Sequence, residues 1–215
     1  MEASLRKEIL QYGRKIIERG LVADTGGNIS VRLSADHLLI TPSGMTYDRL
    51  TPDDLVVVAL ATGEVVQGER RPSIEVPMHR VIYQSRPDVM AIVHTHPKHA
   101  TAVAATRRDL PPVIDNMVAY FGGWVRTAAY AMIGTIELGR NVVAALGDQP
   151  AALLANHGAV AVGETVEQAF RRSELLEECA RIYLLSLLAG GPVILTDEEV
   201  ATERAALIDR YGQVK

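Results

Sequence analysis

Val93-His94-Thr95-His96-Pro97-Lys98-His99 closes an apolar run that opens at Val89. A short apolar run stopped by a proline reads as a buried strand. On a strand, alternate residues share a face, so His94 and His96 point the same way and can grip one metal ion. A third candidate stands far downstream in Leu154-Ala155-Asn156-His157-Gly158, where a second apolar run stops at a histidine. Three neutral imidazoles with an open fourth position make a catalytic zinc site. His99 is the alternative third ligand, although beyond Pro97 it falls on the next helix. His37 and His79 have weaker contexts still.

Outward from this strand, the chain reads as helices packed on a central sheet. Leu5, Ile9, Tyr12 and Ile16 recur at helical spacing before Gly20, which predicts an opening amphipathic helix. Alternation at Ile29, Val31 and Leu33, and short apolar runs at 37–40, 56–60 and 65–66, predict strands joined by hairpin-like turns, and hence a largely antiparallel sheet. A helix is expected between Pro72 and Arg86, and another over 100–105. Thr135 and Gly147 bracket a further helix. Strands at 152–155 and 159–162 flank His157, and Thr165 with Gln168 forms a capping-box pattern at the start of the longest helix. Thr196 with Glu199 repeats that pattern for the last one.

Composition narrows the function. With 215 residues and 48% hydrophobic content, the chain is long enough for one domain, 1–215, with a sizeable core. A formal charge of −4 without any Lys/Arg cluster gives no footprint for nucleic acid or a membrane surface, and suits a small neutral or anionic metabolite. The first twenty residues carry too many charges for a signal peptide, and no uncharged stretch reaches membrane-spanning length. The lone Cys179 cannot form an intrachain disulfide, which fits a cytoplasmic location.

Among reactive groups, Glu75 lies near a predicted helix start and beside a metal could act as a general acid/base or as a displaceable ligand. Thr25-Gly26-Gly27-Asn28 and Thr41-Pro42-Ser43-Gly44 offer backbone N–H groups and hydroxyls without bulk, as phosphate cradles do, and as ordinary turns also do. Ser73 could add a hydroxyl. The chain has four lysines, Lys7, Lys15, Lys98 and Lys215, none placed as a buried Schiff-base lysine, and Cys179 has no neighbouring histidine. Metal-assisted chemistry remains.

In this order, Gly-Gly-Asn-Ile-Ser (26–30), Thr-Pro-Ser-Gly (41–44), Pro-Ser-Ile-Glu (72–75), His-Thr-His (94–96) and Asn-His-Gly (156–158) resemble the class II aldolase/adducin-head family across nearly the whole chain. The closest likeness is to its L-fuculose-1-phosphate aldolase branch. The resemblance implies a three-layer α/β/α fold with a central, mostly antiparallel sheet. It also implies a homotetramer with active sites at subunit interfaces and one Zn2+ per subunit, Mn2+ or Co2+ being possible. By the same resemblance His94, His96 and His157 would bind the metal, and Glu75 would be an acid/base that cycles on and off it. Thr25, Gly27, Asn28, Ser43, Gly44 and Ser73 would hold a substrate phosphate, and Tyr211 would cover the site and help with proton transfer at the leaving aldehyde.

The implied reaction is reversible cleavage of a ketose 1-phosphate, similar to L-fuculose 1-phosphate, to dihydroxyacetone phosphate and an aldehyde. The family also holds sugar-acid phosphate decarboxylases, ribulose-phosphate 4-epimerases with aspartate where this chain has Glu75, and non-enzymatic adducin-like scaffolds that lack the full metal set. The chain departs from the fuculose-phosphate pattern in several places. Ile74 replaces a phosphate-binding serine, Asn116 replaces a tyrosine with Tyr120 nearby as a substitute, Ile133 replaces an aromatic residue, and Asn156 precedes His157.

Overall fold

The computed structural model describes residues 2–210. Eight strands form one sheet: β1 (Asn28–Arg32), β2 (His37–Ile40), β3 (Val56–Ala59), β4 (Val65–Gln67), β5 (Ala91–Thr95), β6 (Thr127–Ala128), β7 (Ala151–Leu154) and β8 (Gly158–Gly163). Their order across the sheet is β4-β3-β2-β1-β5-β8-β7-β6. Only β6 and β7 run parallel, and the other pairings are antiparallel. The helices are α1 (Glu2–Glu18), α2 (Val76–Ser85), α3 (Lys98–Ala105), α4 (Asp115–Phe121), α5 (Ile136–Leu146), α6 (Val166–Leu188) and α7 (Asp197–Arg210). None of the described helices is long and apolar enough to cross a membrane.

The strand that carries His94 is the centre of the sheet, and all five residues of β5 are buried. Its side chains feed two cores in alternation, as a strand covered on both faces must. Ile92 packs with Met78 and Ile82 of α2 and Leu138 and Val142 of α5. Ala91 and Val93 face Ile9 and Ile16 of α1 and Phe170 of α6. Farther along that second face, Leu153, Ala159 and Ala161 meet Val103 of α3 and Leu176 of α6. The same period of two runs through β2 and β3, where Leu38, Ile40, Val56 and Val58 share the α2 side and Leu39 and Val57 the α1 side. The result is the expected three-layer α/β/α arrangement around a mostly antiparallel sheet.

Local chemistry accounts for the element ends. Thr135 Oγ1 accepts from Leu138 N, and Gly147 closes α5 at φ +48°. Thr165 Oγ1 accepts from Gln168 N at the start of α6. Here the capping box is only half formed, because Gln168 Oε1 takes the Glu164 N–H instead of that of Thr165. At α7 the reciprocal pair forms fully between Thr196 and Glu199. The sequence did not predict α4 or β6. The first has only seven residues, and the second is a two-residue strand defined by Leu153 N donating to Arg126 O across the edge of the sheet.

Candidate metal centre

Strand register brings the site together. Asn28 of β1 pairs with His94 of β5, which pairs in turn with Val160 of β8. His157 stands in the three-residue turn between β7 and β8, where its N–H donates to Leu154 O at 3.0 Å. Asn156 makes this turn at φ +57°, a left-handed conformation that asparagine tolerates better than most residues. Arg107 Nε donates to Asn156 Oδ1 at 2.8 Å and Asn156 N to Ala104 O at 3.2 Å, fastening the turn to the end of α3. Nothing in the sequence pointed to Arg107.

One ring nitrogen from each of His94, His96 and His157 lies within 4.8 Å of the others. The ring centroids are 4.7, 4.7 and 5.0 Å apart. His94 Nδ1 donates to Ala159 O at 2.9 Å, which leaves its Nε2 lone pair for the centre of the cluster. That atom lies 2.9 Å from His96 Nε2 and 3.0 Å from Glu75 Oε2. His157 Nε2 and Glu75 Oε1 are 3.6 Å apart, and both are buried without a hydrogen-bond partner in the protein. Two bare nitrogens facing one another beside a carboxylate favour a positive charge between them, and the orphaned His157 nitrogen points to the same place. This donor set fits a divalent cation with N ligands, zinc foremost.

The electrostatics suit ligation. Burial, reinforced by neighbouring His94, lowers the His96 ring to about 3 and the His157 ring to about 4, so both are neutral donors. Burial would also lower His94, but the Glu75 carboxylate and the Ala159 carbonyl outweigh it and raise this ring. Burial of Glu75 itself is outweighed by His94, His157 and the Asn28 amide, which hold its carboxyl well below the usual range. Glu75 is the N-cap residue of α2, as its sequence position suggested, but its carboxylate makes no capping bond. It turns instead toward His94 and Asn28.

The Class II Aldolase and Adducin N-terminal domain matches residues 7–184. The chain belongs to this family. It is 40% identical over 209 residues to a 5-deoxy-D-ribulose 1-phosphate aldolase of Bacillus thuringiensis, covering 97% of each chain. It is 37% identical over 198 residues to the L-fuculose phosphate aldolase of Escherichia coli, covering 92% of this chain and 91% of that one. A solved structure of an L-fuculose 1-phosphate aldolase superposes with a TM-score of 0.90 at 40% identity, over 95% of this chain and 96% of the other.

Within this class II aldolase fold, the loops with the character of phosphate cradles converge on the metal end of the sheet. Ser43 N donates to Arg71 O, Ser73 N to Thr41 O, and Thr41 N to Ile29 O, stitching the three segments together. Thr25 and Gly27 are half-buried, Ser43 and Gly44 exposed, and Ser73 buried with its Oγ accepting from Glu75 N at 3.2 Å. Gly27 also has a packing role: at φ +73°, a Cβ there would stand 2.6 Å from the His94 carbonyl oxygen. Asn28 is tied into the metal centre, with Nδ2 donating to Glu75 Oε2 at 2.7 Å.

The remaining candidates are spread out. His99 belongs to α3, where its ring and N–H meet Glu177 of α6 rather than the cluster. His37 bonds Ser34, and His79 is fully buried against Ser30 and Asn28. Asn116 and Tyr120 lie exposed on α4, and Tyr120 lines a cleft with Val89 and Gly163 at the opposite end of the sheet from His94. Ile74 and Ile133 are exposed and neighbouring, since a Cβ on Gly134 would stand 3.1 Å from the Ile74 carbonyl oxygen. Tyr211 lies outside the described residues.

The geometry around His96 and His79 is open to direct test. A Cβ at Gly158 would lie 2.4 Å from Thr95 O and 2.7 Å from His96 Cδ2. Gly158→Ala should therefore displace His96 and weaken the binding of an added divalent metal ion by about tenfold or more in chelator competition, an effect of the size seen when ligand orientation is lost. Unchanged affinity would show that His96 does not hold the ion. At His79, burial lowers the ring to about 3, against an ordinary value of 6.5. Its folded state resists a proton that the unfolded chain accepts, so its contribution to stability is full above pH 6.5 and declines as pH falls toward 3. In chelator, the wild type should lose about 2 kcal/mol more than His79→Gln between pH 7 and pH 5 in urea unfolding. Parallel stability curves would mean that the native ring takes up the proton.

Proposed function

We propose that this chain is a metal-dependent class II aldolase that reversibly cleaves a ketose 1-phosphate to dihydroxyacetone phosphate and a short aldehyde. The observation that carries the reading is the convergence of His94, His96 and His157 on a buried carboxylate, Glu75, with one oxygen unpartnered. His94, His96 and His157 would hold Zn2+, or Mn2+ or Co2+ in its place. When bound, the ion supplies Lewis-acid stabilisation of the negative charge that builds on the ketose oxygens.

The protein groups divide the remaining work. Glu75, kept ionised by its neighbours, takes the proton from the hydroxymethyl carbon of dihydroxyacetone phosphate in the synthetic direction and returns it in cleavage. Thr25, Gly27, Asn28, Ser43, Gly44 and Ser73 hold the phosphate with backbone N–H groups and hydroxyls. Tyr211 would donate a proton to the aldehyde oxygen in the synthetic direction and take one from the C4 hydroxyl in cleavage. Asn116 and Tyr120 lie too far from their own metal centre and would serve that of a neighbouring subunit in a homotetramer. The enzyme would work in the cytoplasm.

The rim of the site favours an aldehyde with a methyl end. The segment carrying Tyr130, Met132 and Ile133 runs from Arg107, stacked 5.5 Å over Tyr130 and bonded to Asn156, to the exposed Ile74. These side chains are exposed and apolar. A deoxy-ketose 1-phosphate such as 5-deoxyribulose 1-phosphate or L-fuculose 1-phosphate presents a methyl group there, and relatives named for both compounds support that class.

Half of the reaction can be followed without any aldehyde. Metal-loaded enzyme in deuterated water is expected to exchange a hydroxymethyl proton of dihydroxyacetone phosphate, followed by NMR, and to stop when the metal is chelated. Glu75→Gln should keep its metal and lose this exchange by about a hundredfold or more, as loss of a general base implies, whereas His96→Ala should lose the metal. No exchange by metal-loaded wild type, together with carbon dioxide release from a keto-acid phosphate, would replace the aldolase by a decarboxylase.

A further inference from the structure

We propose that His79 is a positioning residue that acts through Asn28: it fixes which end of the Asn28 amide faces Glu75 and so sets the carboxylate for proton transfer. This rests on the aldolase reading above, and it concerns His79, Ser30 and Tyr83, which the metal and phosphate assignments leave unexplained.

Five side chains form an unbroken buried chain. Tyr83 OH lies 2.9 Å from Ser30 Oγ, which lies 2.6 Å from His79 Nδ1. His79 Nε2 is 2.5 Å from Asn28 Oδ1, and Asn28 Nδ2 is 2.7 Å from Glu75 Oε2. All five residues are no more than 3% exposed. A histidine that merely filled the core would be replaceable by leucine. This one is fully buried and makes a short bond through each ring nitrogen.

The direction of each bond follows from donor and acceptor inventories. The ionised Glu75 carboxylate only accepts, so Asn28 must present its NH2 to it and its carbonyl oxygen to His79. That oxygen only accepts, so His79 must carry its proton on Nε2. His79 Nδ1 then accepts the single Ser30 hydroxyl hydrogen, and Ser30 Oγ accepts from Tyr83. Without the histidine donor the amide could rotate by half a turn, placing its oxygen against the carboxylate. Such a contact is repulsive and poorly screened in a buried setting.

Helix geometry makes the clamp stiff. Glu75 and His79 are separated by four residues at the start of α2, so they stand on one face and grip the two ends of the same amide. Asn28 in turn pairs with His94 in the sheet. His79 therefore links the helix that carries the acid/base to the strand beside the ligand strand, without touching either substrate or metal.

Four variants and one spectrum test this. His79→Leu should keep metal content and change KM less than about threefold, while kcat falls about 10- to 100-fold, as when outer hydrogen-bond partners of a site are lost. His79→Gln, which can return an N–H to Asn28, should recover most of kcat. In an Asn28→Ala background, His79→Leu should cost less than about threefold more, because both changes remove one interaction. Independently of turnover, long-range proton–nitrogen correlation spectra of histidine-labelled, metal-loaded wild type should show His79 neutral with its proton on Nε2. A proton on Nδ1 or a cationic ring, kcat within about twofold of wild type in His79→Leu, or multiplying effects in the double variant would overturn the proposal. If wild type exchanges no dihydroxyacetone phosphate proton and cleaves no ketose 1-phosphate, the aldolase reading fails, and the spectrum still decides the direction of the chain.

Discussion

Three imidazole nitrogens and a carboxylate share a pocket in which only His96 and His157 retain partial exposure, and most of the surrounding structure keeps the charge states of this group compatible. A buried carboxylate without partners would take up a proton and stop being a base. Here it keeps its charge because His94 stands 3.0 Å from one oxygen and Asn28 donates to that same oxygen. His96 and His157 stay neutral for the opposite reason: burial and the neighbouring His94 ring make their protonation costly. The antiparallel register of β1, β5 and β8 is what allows this, since it places Asn28, His94 and the turn bearing His157 at one end of the sheet.

Most of that arrangement was legible in the sequence where the signal was local or periodic. Alternating apolar residues mark the strands and their two faces, and Thr135, Gly147 and Thr165 mark helix ends that the structure reproduces. The spacing of His94 and His96 puts two imidazoles on one face. Spacing alone keeps His99 as the alternative to His157 for the third position. Distance decides for His157, because α3 turns His99 toward Glu177 of α6, a residue 78 positions away.

What was hidden depended on such long-range contacts. Asn28 has the sequence context of a phosphate loop, but its amide spans 47 residues to Glu75 and 51 to His79. His79 looks like an incidental histidine on an amphipathic helix, and only the placement of β1 against α2 shows both nitrogens engaged. Gly27 suggests bare backbone offered to an anion, although the tightest demand on it comes from the His94 carbonyl behind it. The contact between Arg107 and Asn156 carries no sequence signal, because it joins residues 49 positions apart, each in a left-handed backbone conformation.

The identity of residue 75 shows how one methylene links helix physics to chemistry. A helix N-cap favours aspartate, serine, threonine and asparagine because their short side chains fold back onto the free N–H groups of the first turn. Glu75 occupies that position and makes no such bond. Its longer side chain reaches past the helix end to His94 and His157, while Ser73 Oγ instead accepts from the Glu75 N–H. An aspartate here would be drawn to cap α2 and would sit farther from the imidazoles. Glutamate gives up the capping bond and reaches the histidine cluster, where its Oε1 is left without a hydrogen-bond partner.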